Sequence, residues 1–204
     1  DWKINVDEVE EVVFEETIPE DSTVMDASET FLKFKILSDS TAEVTRDDSG
    51  GESSYYGHDS ITIPPKVRID GNVYTVTSIG ERAFEFNNKL KSVNIPEGVT
   101  SIGDHAFGGC SSLASIDIPE SMTSIGHRVF AYCSMTSIDI PESVENIEYD
   151  AFYDCNILEP KLLVYDKGTK CYGWIGDEKK CTEVVIPEGV TSIGEWAFSG
   201  CGGL

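Results

Sequence analysis

Three features are scarce in this sequence, and each scarcity excludes a class of protein. No run of about 18 apolar residues occurs, so the chain has no segment that would cross a bilayer as a helix. Only 15 bases stand against 37 acids, and the formal charge of −22 repels a phosphate backbone, so nucleic acid is not expected as a partner. Six cysteines in 204 residues are too few for a disulfide scaffold.

Motifs of catalysis and cofactor binding are also missing. The chain has no Walker loop, no dinucleotide fingerprint, no His-Glu-x-x-His and no Gly-x-Ser-x-Gly. Its histidines are His58, His105 and His127, and no Cys or Ser stands where one of them would activate it. His105 and His127 follow their glycines at different distances, so we expect them in different columns on the surface. We therefore predict a protein that is not an enzyme and binds no cofactor.

A repeat of about 23 residues begins near Ile61 and continues to the end of the sequence. The unit reads Leu-x-x-Ile-x-Ile-Pro-Glu-x-Val-x-Ser-Ile-Gly-x-x-Ala-Phe-x-x-Cys-x-x. Its anchor is Ile-Pro, which recurs after 22 or 23 residues, or after 46 across one degenerate unit, with the prolines at Pro96, Pro119, Pro141 and Pro187. One coil of this length cannot bury its apolar side alone, so successive coils must stack.

Two columns of the repeat are predicted to fill the core. The aromatic column contains Phe84, Phe107, Phe130, Phe152 and Phe198. The cysteine column contains Cys110, Cys133, Cys155 and Cys201, with Asn87 at the same place in the first unit. Cysteines stacked one coil apart do not converge on a point as the four ligands of a zinc site do, so we interpret them as buried reduced thiols.

Short strands follow from the alternation of apolar and polar residues. Ile116 and Ile118 flank Asp117, and Pro119 ends this strand because proline cannot donate to a ladder. We expect one parallel sheet with strands at 93–95, 116–118, 138–140 and 184–186. A second extended piece is expected at Ser-Ile, followed by a short helical or 3-10 turn at Ala-Phe.

These columns resemble the BspA-type leucine-rich repeat family of bacterial cell-surface proteins, over about residues 31–204. The motif is specific because about seven constrained positions recur in five units. The resemblance implies a mostly β, right-handed solenoid with short strands. It also implies secreted or surface-anchored proteins of anaerobic bacteria, some of which act as adhesins for host matrix proteins or other cells.

The two ends differ from the repeats. Residues 1–30 carry eleven acids and one base, and we expect a partly disordered acidic extension there. Residues 31–77 are predicted to form a β-hairpin cap, with one hairpin over 38–41 and a second that turns at Asp70-Gly71. Leucine-rich repeats are expected over 78–204. The chain ends at Leu204 on the last column of a unit, which predicts a longer repeat array.

The degenerate unit at 156–183 is the first candidate binding site. It departs from the consensus and gathers bases in an acidic chain, so we expect a loop or hairpin outside the shared core that attracts an acidic partner. The candidate residues are Tyr172, Trp174, Lys167 and Lys170. A disulfide between Cys171 and Cys181 is an open alternative to two buried thiols.

Two further surfaces are candidates. A ridge of aromatic residues beside Ala-Phe, formed by Tyr132, Tyr149 and Trp196, is the alternative partner site, since Tyr and Trp often anchor interfaces. Columns of carboxylates past the strands have two interpretations, a Ca²⁺ site and a solvated acidic face, of which we favour the second and assign no metal ligand. The acidic columns contain Asp117, Asp139, Glu97, Glu120, Glu142 and Glu188.

On this basis we expect a monomeric, non-enzymatic recognition or adhesion module that binds an extracellular protein or glycan through the solenoid surface. The alternative is a structural spacer that projects another domain from the cell surface. Both need the same core and differ only on the surface. The chain begins at Asp1 without a Met or an apolar signal core, so a secreted or cell-surface location rests on the resemblance.

Overall fold

A computed structural model of the chain describes residues 24–48, 55–155, 157 and 160–204. Most of the predicted acidic extension therefore lies outside the described residues. Within them the fold is mostly β, as predicted, and helix is confined to the 3-10 turns Ala27–Glu29 and Glu178–Lys180. The strands are β1 Val24–Asp26, β2 Lys33–Ile36, β3 Thr41–Thr45, β4 Ser60–Thr62, β5 Lys66–Ile69, β6 Asn72–Ile79, β7 Ser92–Asn94, β8 Ser101–Ile102, β9 Ser124–Ile125, β10 Asn146–Ile147, β11 Lys161–Tyr165, β12 Lys170–Ile175 and β13 Ser192–Ile193.

Both N-terminal hairpins are confirmed. Strands β2 and β3 pair antiparallel, as do β5 and β6. The second hairpin turns at Asp70 and Gly71, whose φ angles of 50° and 84° are both positive, as a type I′ turn requires. Strand β3 also lies parallel to β6, so the first hairpin joins the sheet that continues into the repeats.

Neighbouring coils are joined along the Ser-Ile column. The end of β6 pairs in parallel with β8, β8 with β9, and β9 with β10, so Ile79, Ile102, Ile125 and Ile147 stack one coil apart. In the expected Ile-x-Ile column, β4 pairs with β7, but residues 116–118, 138–140 and 184–186 form no strand. The prediction of one long sheet there was wrong. The coils spread apart on that side, where a cleft of about 270 Å³ separates residues 115–118 from 137–141.

The Ala-Phe segments are consecutive hydrogen-bonded turns, not the helical turn that the sequence predicts. In the first full coil, alternate amides donate within the coil and to the next coil. The amides of Ala83, Glu85 and Asn87 bond locally, whereas those of Arg82, Phe84 and Phe86 donate to the next coil. Arg82 and Phe86 have φ angles of 55° and 60° at the third position of their turns, the position where a type II turn needs a positive φ. This alternation satisfies the backbone and ties the coils together.

A column of aromatic rings passes through the stacked coils. The rings of Phe84, Phe107, Phe130 and Phe152 are nearly parallel, with centroids 5.2, 5.8 and 5.7 Å apart. Three of them are fully buried and Phe152 is 6% exposed. A tyrosine adjoins each end of the column: Tyr55 lies 5.1 Å from Phe84, and Tyr172 lies 5.5 Å from Phe152.

Phe198 does not continue this column. It is partly buried, and among the described residues no ring contact joins it to the others. The strand that pairs with its coil is β12, which carries no phenylalanine on which Phe198 could stack. Ile193 of the same coil is 54% exposed, whereas Ile125 of an inner coil is fully buried. Residues of this coil are therefore less buried than the equivalent residues of an inner coil.

The cysteine column supplies hydrogen-bond donors to the preceding coil. The thiols of Cys110, Cys133 and Cys155 donate to the carbonyl oxygens of Phe84, Phe107 and Phe130, over 3.2, 3.2 and 2.7 Å. In the first unit, the side-chain Nδ2 of Asn87 donates to the Tyr55 carbonyl oxygen at 3.0 Å. Asparagine and cysteine share this column because each presents a donor to a buried carbonyl group.

All six cysteines are buried, and no disulfide joins any of them in the described chain. The alternative of a Cys171–Cys181 bridge is therefore not formed. Burial raises the pKa of the Cys110 and Cys155 thiols to about 12 and also raises the pKa of Cys133. These thiols stay protonated at neutral pH, which keeps them as donors and makes them poor nucleophiles.

We expect Phe107→Ala to lower the free energy of unfolding by about 3–5 kcal/mol, because it removes a ring that contacts rings on both sides. The matched control is Phe86→Ala, since the Phe86 side chain is 56% exposed. Its loss should be clearly smaller. Chemical denaturation measures both, and a loss below about 1 kcal/mol for Phe107→Ala would contradict the role of the column.

We also expect Cys110 and Cys133 to resist alkylation by iodoacetamide until the protein unfolds. The cause is their burial and their protonated state. Ser111→Cys gives a control thiol on the exposed neighbour of Cys110 and should react rapidly. Mass spectrometry of the native and denatured protein compares the rates. Native labelling of Cys110 as fast as that of the control would exclude a core position.

Candidate functional site

The degenerate unit is a hairpin built into the stack. Strands β11 and β12 pair antiparallel, and β12 then pairs in parallel with β13 of the following coil. The sequence predicts a hairpin or loop outside the shared core, but Leu163 and Ile175 of this hairpin belong to that core. The hairpin therefore replaces a coil and keeps the stack continuous.

Glycine at position 173 allows the hairpin to approach the next coil. A Cβ atom on Gly173 would lie 2.2 Å from the Ala197 carbonyl oxygen, and its φ of 133° is rare for other residues. The adjacent Trp174 amide donates to the same carbonyl oxygen at 2.8 Å. Close backbone contact on this side fixes where the Trp174 and Trp196 side chains lie.

A cleft of about 800 Å³ lies between the hairpin, the coil before it and the coil after it. Four aromatic side chains that the sequence divides between two candidate sites meet there: Tyr149, Tyr172, Trp174 and Trp196. The sequence placed Tyr172 and Trp174 in the degenerate unit and the other two on the ridge. The fold unites them because the hairpin occupies the position of a coil, next to both neighbours.

The aromatic side chains of this aromatic cleft differ in exposure and in their contacts. The Trp196 and Tyr149 side chains are 70% and 45% exposed. Trp174 is half-buried, and its indole N–H donates to the Asp177 carbonyl oxygen at 3.2 Å. Tyr172 packs on Phe152, and burial raises the pKa of its hydroxyl to about 12. The cleft thus has a fixed inner wall and an exposed outer rim.

Charge in the aromatic cleft is mainly negative. One lysine, Lys179, lines it, together with four carboxylates, Asp150, Asp154, Asp177 and Glu195. Asp150 is paired with the Arg128 guanidinium at 3.2 Å. Asp154 and Glu195 are exposed and have no ion-pair partner among the described residues. The sequence reasoning missed these acids, since nothing in their spacing separates them from the many surface carboxylates.

The predicted basic candidates do not join the aromatic residues. Lys167 is exposed in the turn of the hairpin, and neither Lys167 nor Lys170 lines the cleft. The Lys170 ammonium contacts the Asp166 carboxylate at 3.0 Å and donates to the Glu145 carbonyl oxygen at 2.6 Å. Lys170 therefore bridges to the preceding coil. The positive patch expected around Trp174 is absent from the described residues that line the cleft.

Tyr132 lies beside the cleft and not in its lining. Its ring meets the Tyr153 ring edge to face at 5.5 Å, and Tyr153 lines the cleft. The Arg128 guanidinium lies over the Tyr153 ring, 5.4 Å from its centroid. Part of the predicted ridge, Tyr149 and Trp196, is therefore in the cleft, whereas Tyr132 supports its rim.

The histidines expected in different columns are neighbours. The rings of His105 and His127 lie 5.4 Å apart, and the His127 ring contacts Tyr149 at 4.4 Å. The His105 amide donates to the His127 carbonyl oxygen at 2.9 Å, but the register that pairs Ile102 with Ile125 places His105 opposite Arg128, so the two histidines lie in different columns, as predicted. Both histidine side chains are about one quarter exposed. The His105 Nδ1 atom lies 3.6 Å from the Glu85 carboxylate.

Two members of the acidic columns are used within the stack. The Glu97 carboxylate accepts hydrogen bonds from the amides of Glu120 and Ser121 in the next coil, at 3.3 and 3.2 Å. Asp139 pairs with Lys161 at 3.5 Å. Among the described residues, no three His, Cys, Asp or Glu side chains are grouped as metal ligands. These contacts reduce the repulsion between aligned carboxylates.

Comparison with sequence families finds six copies of the BspA type leucine rich repeat region, at residues 53–160 and 176–204. The interruption coincides with the hairpin. The first match begins ahead of residue 78, in the range predicted as the cap, where β4 already pairs with β7. No curated protein matches the chain. In the described residues, no helix has the length and apolarity needed to cross a membrane.

Solved structures of bacterial leucine-rich repeat proteins are similar to this chain. A leucine rich cell surface protein of Faecalibacterium prausnitzii is 31% identical, with a TM-score of 0.60 over 85% of this chain and 51% of that one. The chain therefore spans about half the length of that protein. A leucine-rich repeat protein of Bacteroides capillosus is 37% identical, with a TM-score of 0.51 over 58% and 83%.

A leucine-rich repeat protein of T. pallidum is 25% identical, with a TM-score of 0.58 over 85% of this chain and 88% of that one. These similarities agree with the parallel stacking of coils and with the six repeat copies. The family match covers more than half of the sequence. The chain belongs to the BspA-type leucine-rich repeat family.

Proposed function

We propose that this chain is a non-enzymatic recognition module of a bacterial cell surface and that it binds a protein partner through the aromatic cleft. The observation that carries the proposal is the meeting of Tyr149, Trp174 and Trp196 around one cleft on a rigid stack of coils. Tyr and Trp provide large contact areas with little loss of side-chain entropy, which is why they anchor many interfaces. Membership of a repeat family with bacterial surface proteins among its similar structures supports the location.

The fold also favours recognition by a prearranged surface. Trp174 is held at its backbone by Ala197 and at its indole by Asp177. A partner that contacts such a side chain does not have to order it first, so less entropy is lost on binding. The large exposed fraction of the Trp196 side chain, 70%, is then the surface that a partner would cover.

A structural spacer is the second candidate. Its support is the continuity of the column of rings and the Ser-Ile ladder, which give a stiff element. A spacer, however, gives no reason for six aromatic side chains to border one cleft. The two functions differ in a measurable way, since only a recognition module has a surface whose removal stops binding without affecting the fold.

We expect Trp174→Ala combined with Trp196→Ala to weaken partner binding by about tenfold or more, because two anchors of the cleft are lost. The melting temperature should change little, since Trp196 is exposed and neither ring belongs to the buried core. The measurement is a binding screen against immobilised extracellular matrix proteins and glycans, followed by titration of each partner found.

Tyr56→Ala is the matched control, because Tyr56 is 58% exposed and lies outside the lining of the cleft. It should leave binding unchanged. Tyr132→Ala separates the cleft from the ridge and should have a small effect. Binding that survives the double tryptophan substitution but is lost in Tyr132→Ala would move the site to the ridge. A folded protein that binds nothing in the screen would favour the spacer.

A further inference from the structure

We propose that the aromatic cleft binds a basic segment of a protein partner by taking its lysine or arginine side chains between aromatic faces and carboxylates. This inference rests on the proposed recognition function and adds the chemistry of the partner. It reverses the charge expected from the sequence, where the lysines of the degenerate unit predict an acidic partner. The reversal follows from where the fold places those lysines.

The charges around the cleft select the sign of the ligand. Four carboxylates and one ammonium line it, in a chain whose formal charge is −22. Asp154 and Glu195 have no cationic partner among the described residues, and both are exposed. An acidic peptide would be repelled at this surface. A basic segment would be attracted from a distance and would pair with the two carboxylates on contact.

The rim of the cleft already contains this kind of contact within the chain. The Arg128 guanidinium lies 3.2 Å from the Asp150 carboxylate and 5.4 Å from the centroid of the Tyr153 ring. One cation is thus held by a carboxylate and an aromatic face together. Such a combination attracts arginine and lysine through the ring quadrupole as well as through charge.

Carboxylates and aromatic rings also line the cleft beyond this rim. Trp196 lies next to Glu195 in the chain, and both line the cleft together with Trp174 and Asp154. Tryptophan gives the strongest cation–π attraction of the aromatic residues. Both tryptophan rings line the cleft and are therefore open to a cation that enters it. A cation of the partner would therefore meet carboxylates and aromatic rings in the cleft, as Arg128 does at the rim.

The negative charge of the cleft favours a basic peptide segment over a neutral sugar as its occupant. Aromatic faces also suit the apolar faces of sugar rings, but a neutral sugar gains only hydrogen bonds from the carboxylates, whereas a cation gains charge attraction as well. Two unpaired acids in the lining of one cleft suit a segment with at least two bases. Charge complementarity therefore decides between the two kinds of ligand.

Tryptophan fluorescence provides a direct test, since the chain has three tryptophans and two of them line the cleft. In a Trp2→Phe background the whole signal comes from Trp174 and Trp196. The probes are hexa-arginine amide, hexa-glutamate and maltohexaose, each titrated at low and at physiological salt. We expect a saturable change with hexa-arginine only, and weaker binding at higher salt.

Asp154→Asn combined with Glu195→Gln should weaken hexa-arginine binding by about tenfold, since it removes both unpaired charges and preserves side-chain shape. The matched control is Asp117→Asn combined with Glu142→Gln, which removes the same charges outside this cleft and should change binding less than about twofold.

Equal losses in the two double variants would mean attraction to the whole acidic chain and would overturn the cleft as the site. A saturable change with maltohexaose or hexa-glutamate but not with hexa-arginine would overturn the basic partner, while leaving the proposed recognition function standing. If no probe gives a saturable change, the basic-segment proposal fails, and the matrix and glycan screen then decides the recognition function independently.

Discussion

Each inner coil buries a phenylalanine ring between the ring of the coil before it and the ring of the coil after it. A chain of about 23 residues per turn has too little apolar surface to fold alone, so this contact from coil to coil is the condition for the whole structure. The centroid spacings of 5.2–5.8 Å between phenylalanines are close to the strand spacing of a sheet. The ring column and the Ser-Ile ladder therefore have similar spacings from one coil to the next.

Hydrogen bonds between coils add to the contacts between the rings. Thiols of the cysteine column donate to the carbonyl groups of ring-bearing residues in the preceding coil, which prevents buried carbonyl groups from remaining unsatisfied. The degenerate unit obeys the same constraint. Its hairpin continues the column with Tyr172 and reaches the following coil through Gly173, so an irregular segment packs against both neighbouring coils. The cleft is a consequence of that fit.

Much of the fold follows from the sequence, because spacing alone identifies inward residues. The period predicts the buried positions of Phe84, Phe107 and Phe130, and Asp70-Gly71 predicts a hairpin turn. The spacing does not reveal which side of a coil carries the hydrogen-bonded ladder. Both Ile-x-Ile and Ser-Ile have strand character, and the choice depends on how the coils spread, which is a property of the whole stack.

The site was less accessible to sequence reasoning. Residue types identified Tyr149, Tyr172, Trp174 and Trp196 as candidates, but their meeting depends on a hairpin that takes the place of a coil. The sequence also does not predict in which direction the long lysine side chains extend. Lys161 and Lys170 extend back to carbonyl oxygens of the preceding coil, so charges that are near Trp174 in sequence do not line the cleft.

Amide hydrogen exchange in a Phe130→Leu variant tests most directly whether the ring column holds neighbouring coils together. Phe107 and Gly109 donate their amides to the coil of Phe130, and Tyr132 donates to the coil beyond it. The ring column predicts faster exchange at all three positions, with the β2–β3 hairpin unchanged. Faster exchange confined to residues adjacent to position 130 would contradict it.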